Sequence, residues 1–132
     1  MDKFNKNWYK NIKKSPLTPP DYTFGIVWPI LYMLILISFI VFVSSDIPKE
    51  KKYIPLLLFF IQLIANLIWT TLFFRFKLIK WAFFDLIIIV VFTFLTILAF
   101  YKLNKLSAYL LIPYLLWISF ALYLNYYIVT KN

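Results

Sequence analysis

The stretch Ile61-Gln62-Leu63-Ile64-Ala65-Asn66-Leu67-Ile68-Trp69-Thr70-Thr71-Leu72-Phe73 decides the fold. At roughly 100° per residue, Gln62, Asn66, Trp69 and Phe73 fall on one helical stripe about 60° wide. The remainder of that helix is apolar. A carboxamide turned toward hydrocarbon finds no hydrogen-bond partner, so Gln62 and Asn66 must face a protein interior or a polar cavity. The two amides and two rings therefore predict an inward-looking site within a membrane-embedded bundle.

Composition agrees with that setting. Of 132 residues, 64% are hydrophobic and 23% aromatic, and the mean hydropathy is +0.83. Soluble domains hold about 45–50% apolar residues. The length suits one domain. Cysteine and histidine are both absent, which removes disulfides, thiolate nucleophiles, imidazole bases and the usual zinc, copper or haem ligands. No metal site is expected.

Four apolar runs are long enough to cross a bilayer, which takes about 17–25 helical residues. They are Gly25 to Val43, Tyr53 to Phe74, Trp81 to Tyr101 and Ala108 to Val129. The expected fold class is all-α, a multi-pass transmembrane bundle of four antiparallel spans over residues 25–132. Residues 1–24 form a Lys- and Pro-rich segment ahead of it. Short gaps make consecutive helices antiparallel neighbours. Ser15-Pro16-Leu17-Thr18-Pro19-Pro20-Asp21 cannot be helical throughout, and Asp21 or Thr23 could cap the next helix. With one glycine, Gly25, close helix approach must rely on Ser38, Ala65, Ala99, Ala108, Ser119 and Ala121.

The net charge of +9 sits outside the spans. Every base flanks one, from Lys3 to Lys14 at the start, then Lys49 to Lys52, Arg75 to Lys80, and Lys102 with Lys105. This is the pattern of topology signals and headgroup contacts, not of nucleic-acid binding. Nine basic residues lie on the side of the N-terminus and five on the other, which predicts both termini in the cytoplasm. The lack of an Arg-rich presequence favours a bacterial inner membrane.

Other spans carry comparable faces. Trp28, Tyr32, Ile35 and Phe39 share one in the first span; Pro113, Tyr114, Trp117, Ala121 and Asn125 occupy an arc of roughly 120° in the last. Pro113 removes a backbone hydrogen bond and bends the helix beside Trp117. Indoles, phenols and amides converging from three helices describe a pocket for a flat, largely apolar molecule with a few polar edges. The predicted ligand-binding residues are Trp28, Tyr32, Gln62, Asn66, Trp69, Phe73, Trp117, Ala121 and Asn125.

Several motifs resemble the translocator protein family, also called tryptophan-rich sensory proteins or peripheral-type benzodiazepine receptors. They are Trp8-Tyr9, Thr18-Pro19-Pro20 followed by Phe24 to Trp28 and Leu31-Tyr32, and Gln62-x3-Asn66-x2-Trp69 with Leu72 to Phe74. Asp85-Leu86, Pro113 to Trp117, Phe120-Ala121 and Leu124-Asn125 complete the series, in the family's order, from Trp8 to about Lys131. The resemblance implies a bundle that binds tetrapyrroles such as protoporphyrin IX, in some members sterols, as ligand and not as cofactor. It places family pocket residues at Trp28, Asn66, Trp69, Trp117 and Ala121. Light-dependent breakdown of bound porphyrin is implied for some relatives, with Trp28 and Trp117 as radical partners; the residues themselves show no nucleophile with a base, no carboxylate dyad and no phosphate loop.

Two departures stand out. The family resembles a five-helix bundle with a span ahead of the Trp-Tyr pair, yet seven residues precede Trp8. Either the recorded start is too late, or a four-helix form completes its wall with a second subunit, with lipid, or not at all. Ser15-Pro16 stands where the family more often has proline directly after the residue matching Lys14.

Asp85 is the one carboxylate within a span, near Arg75, Lys77 and Lys80. An anchoring ion pair is the expectation. A weak sterol-contact pattern runs through Leu124, Tyr126 and Lys131; an interfacial aromatic belt at Tyr126 and Tyr127 explains the same residues. Two functions follow from these readings: a tetrapyrrole receptor or sensor influencing porphyrin metabolism or stress response, and alternatively a small dimeric four-helix exporter of hydrophobic compounds. Midplane polar groups that are all neutral weigh against coupled export.

Overall fold

A computed structural model describes residues 21–72 and 79–131. Four helices account for them: α1 (Asp21–Ser44), α2 (Lys49–Thr70), α3 (Ile79–Leu103) and α4 (Lys105–Lys131). Each is long and apolar enough to cross a membrane, and the described residues contain no strand. The fold is the expected all-α multi-pass bundle. Apart from the C-terminal end of α2, at Thr70, helix ends run a few residues past the predicted spans, for local reasons. Pro48 precedes the helix, and Glu50 in its first turn complements the dipole, which favours helix over Lys49 to Lys52. Asn104 alone separates α3 from α4; its Oδ1 accepts from the Ser107 backbone N–H at 3.1 Å, an N-cap that starts α4 earlier than hydropathy suggested.

Paired contacts fix the directions. The rings of Phe83 and Tyr126, and of Tyr101 and Tyr109, set α3 antiparallel to α4. Trp28 with Trp117, and the Ser38 hydroxyl donating to the Ser107 carbonyl at 2.7 Å, do the same for α1 and α4. Gln62 with Thr93 and Phe59 with Phe100 align α2 and α3. Backbones approach closely along α1–α4, α4–α3 and α3–α2. The sequence expectation of consecutive neighbours needs one correction here. Although α1 and α2 run antiparallel side by side, they are spaced apart, because large rings fill the interval: Trp28 against Trp69, and Phe39 against Phe59 and Phe60.

Small residues permit the close approaches. Ser38, Ser107, Ala82 and Ala108 are fully buried, and Ala65 and Ala121 nearly so. Ser119 points outward instead. Ala99 is half-buried. The interior divides into two halves. Toward the α1–α2 loop, Phe42 stacks on Phe100 at 4.0 Å and 4°, with Phe59 next to them. Toward the start of α1 lie the indoles and amides.

Candidate functional site: an amide and indole chamber

Each helix contributes one polar or indole face to this second half. On α2, Gln62 and Asn66 are each 1% exposed, and Trp69 is buried one turn on. Their neighbours Ile64, Leu67 and Ile68 face outward, so the stripe read from the sequence is the inner face. Phe73, the fourth member, lies outside the described residues. On α1, Trp28 is buried and Tyr32 half-buried. On α4, Tyr114, Ala121 and Asn125 are buried and Trp117 is half-buried.

A directed hydrogen-bond chain joins four helices. The Tyr32 hydroxyl donates to Asn66 Oδ1. Asn66 Nδ2 donates to the Tyr114 hydroxyl at 2.8 Å, and that hydroxyl donates to Gln62 Oε1 at 2.8 Å. Thr93 Oγ1 from α3 donates to the same Gln62 oxygen at 3.3 Å. Gln62 Oε1 thus accepts from two hydroxyls, and Asn66 uses both its oxygen and its nitrogen. Gln62 Nε2 is left buried with no partner among the described residues. An amide N–H pair in that position is a ready donor to a ligand or water acceptor.

A separate pair lies one turn along. Trp69 Nε1 donates to Asn125 Oδ1 at 3.2 Å. Trp28 links the indoles: its ring lies 6.3 Å from that of Trp69, 6.5 Å edge-on from Trp117, and 5.7 Å from Tyr32. These are contact separations for aromatic rings. The predicted residues Trp28, Tyr32, Gln62, Asn66, Trp69, Trp117 and Asn125 therefore meet in one cluster, with the small buried Ala121 one turn from Trp117.

Two residues of the chain are not among the predicted ligand-binding residues. Tyr114 belongs to the α4 face read from the sequence, and its phenol is the hub of the chain. Thr93 is a lone hydroxyl one turn from Thr96 in an apolar helix, and that pairing was its signal. Both threonines are fully buried. Pro113 is exposed, not part of the inner face, because one residue of helix turns it about 100° from Tyr114.

Two residues of the sterol-contact pattern have described side chains. Leu124 is buried while Tyr126 is 54% exposed; the Lys131 side chain lies outside the described residues. The ion pair expected of Asp85 falls largely on bases outside the described residues. One of its carboxylate oxygens is buried without a hydrogen bond, and no ion pair joins it to another described residue; Arg75 and Lys77 lie outside them. Asp85 is half-buried because it shares the inward side of α3 with Ala82, Leu86 and Ile89.

An open apolar groove of about 280 Å³ lies elsewhere, between α1 and α2, lined by residues from Tyr32 to Phe39 and from Phe59 to Leu63. Of the predicted ligand-binding residues, Tyr32 lines it.

Residues 1–130 match the family model described as TspO/MBR. The chain is 34% identical over 125 residues to the tryptophan-rich protein TspO of Chlorobaculum tepidum, covering 95% of this chain and 79% of that one. It is 34% identical over 126 residues to the human translocator protein, covering 95% and 75%. With the TspO protein of Archaeoglobus fulgidus it shares 35% over 127 residues, covering 96% and 81%.

Proposed function

Because the chain belongs to the TspO/MBR family and is an integral multi-pass membrane protein, we propose that it binds a tetrapyrrole in the indole and amide chamber and acts as its membrane receptor or sensor. One observation carries this reading: aromatic and amide side chains from α1, α2 and α4 converge on a single buried cluster whose Gln62 Nε2 still lacks an acceptor among the described residues. A porphyrin is flat, wide and aromatic, with polar groups at its edge. Indole faces suit the macrocycle and a desolvated amide donor suits an edge carboxylate or carbonyl. Trp28, Trp69 and Trp117 would stack on the ligand, while Gln62 and Asn66 would orient it. The proposal includes an orientation with both termini, and hence the chamber end, toward the cytoplasm.

The exporter alternative has less support. Gln62 and Thr93 mark the polar centre, and Asp85 lies eight residues along α3 from Thr93, about 12 Å along the axis. A coupling carboxylate would be expected nearer that level.

Titration of protoporphyrin IX into purified protein, followed by tryptophan quenching, tests the reading. Saturable quenching is expected, with Trp28→Phe and Asn66→Leu each weakening affinity by about tenfold, equivalent to ~1.4 kcal/mol. Non-saturating quenching of equal size in all three proteins would reduce the effect to partitioning into detergent and end the proposal.

A further inference from the structure

The end of the bundle away from the chamber, where α1 passes to α2 and α3 to α4, carries Lys49, Lys51, Lys52, Lys102 and Lys105 against Asp46 and Glu50. Two of these lysines have their ammonium placed by other residues. Lys52 Nζ donates to the carbonyls of Val43 and Ser45 at 2.8 and 2.9 Å, closing the α1–α2 connection. Lys105 Nζ lies 5.5 Å over the Tyr101 ring, within cation–π reach. Lys52 thus serves the fold. Lys105 does not serve its own helix, because a first turn favours acidic residues and that of α4 has none.

Lys105 heads a longer feature. Tyr109 follows one turn on, on the same face of α4, and its ring meets that of Tyr101 at 6.0 Å and 60°. The register set by this pair puts Leu98 level with Ile112, and Phe94 level with Leu116, along the junction of α3 and α4. These four side chains are exposed. They extend the tyrosine faces of their helices for about 10 Å toward the middle of the membrane. Lys102, exposed next to Tyr101, completes the charged head. Because α3 and α4 approach closely, the junction is a shallow surface seam. Its head lies at the opposite end of the bundle from Asp21, where the described chain begins.

We propose that this seam is a binding site for an anionic phospholipid, with the phosphate held by Lys102 and Lys105 and an acyl chain lying along Leu98 and Ile112. The apolar run suits a lipid chain, since side chains exposed at this depth meet hydrocarbon. The charges select the headgroup. A zwitterionic headgroup brings its own ammonium, which the two lysines repel, whereas a lipid of net negative charge gains about fivefold per lysine near the surface. Tyr101 and Tyr109 sit at headgroup level, where a phenol offers its ring to the first methylenes and its hydroxyl to the phosphodiester. The Tyr101 ring also holds the Lys105 ammonium beside the bilayer instead of out in water. An ammonium has three donors, so it can serve ring and phosphate together.

The chain contains no cysteine, so Leu98→Cys carrying a bimane fluorophore reports on the lipid at the seam alone; Ile112→Cys gives the same reading from α4. The test uses labelled protein in vesicles that mix phosphatidylcholine with phosphatidylglycerol, one or the other having brominated chains that quench on contact. Quenching should show phosphatidylglycerol favoured at the seam by about fivefold or more, and added sodium chloride should lessen the preference by screening exposed charges. Lys102→Gln with Lys105→Gln should bring the preference to within about twofold of parity. Lys49→Gln with Lys51→Gln removes the same charge from the same end of the bundle and should leave the preference in place. Equal quenching by the two lipids in the parent protein would overturn the site. So would a preference that survives loss of Lys102 and Lys105, or one that both pairs of substitutions reduce equally, which would make it a diffuse effect of charge.

Discussion

The Asn66 side-chain amide donates to the Tyr114 hydroxyl at 2.8 Å, joining two helices across 48 residues of sequence. That phenol then donates to Gln62, so a single oxygen holds both α2 amides in place. A buried hydroxyl engaged twice is harder to replace than one engaged once.

Tyr114→Phe should consequently destabilise the protein by about 1–2 kcal/mol, since Asn66 loses an acceptor and Gln62 a donor in a dry interior. Thr93→Val removes only a longer 3.3 Å bond to an oxygen that Tyr114 still serves, and should cost under about half as much. Denaturant unfolding in mixed micelles ranks the two variants; an equal or reversed order would contradict the hub role of Tyr114.

The Trp69–Asn125 bond predicts a coupling energy. In a double-mutant cycle of Trp69→Phe and Asn125→Ala, the two losses should fall short of additivity by about 0.5–1 kcal/mol, the range of interhelical hydrogen bonds in membranes. Strict additivity would mean that the 3.2 Å contact contributes nothing.

Phe42 and Phe100 are both fully buried and lie face to face at the end of the bundle away from the indoles. Phe100→Ala should cost about 3 kcal/mol or more through the cavity it leaves. Porphyrin affinity of the folded fraction should stay within about twofold of the parent, because the ring's aromatic partners, Phe42 and Phe59, lie outside the chamber and distant sites act independently. Joint measurement of unfolding and of saturable quenching separates the two effects.

Asp85 has a buried oxygen and no ion pair among the described residues. Replacing it with Asn removes a desolvated charge and leaves the shape, so Asp85→Asn should stabilise the fold by about 1 kcal/mol. A loss of stability of that size would instead reveal a cationic partner for the carboxylate.

Much of this architecture is legible in the linear chain, and Gln62 and Asn66 show why. Within hydrocarbon a carboxamide has to point inward, so two amides one turn apart settle which side of α2 is the inside. Trp28, Tyr32, Trp117, Ala121 and Asn125 are readable by the same periodicity. Pro113 faces outward because it sits at the edge of an arc of roughly 120°, and Ser119 because a small side chain suits a close approach but does not say which way it points.

The sequence by itself determined that four hydrocarbon-length helices cross a membrane and which stripe of three of them looks inward, because span length and polar periodicity are properties of a single helix in a single solvent. Only the tertiary structure decided the hydrogen-bonding order of Tyr32, Asn66, Tyr114, Gln62 and Thr93, and that α1 nests on α4 while standing off from α2. Both depend on the relative height and spacing of different helices, which the ring volumes of Trp28, Phe39, Phe59 and Trp69 and the small residues Ser38 and Ser107 set jointly. No one helix contains that information.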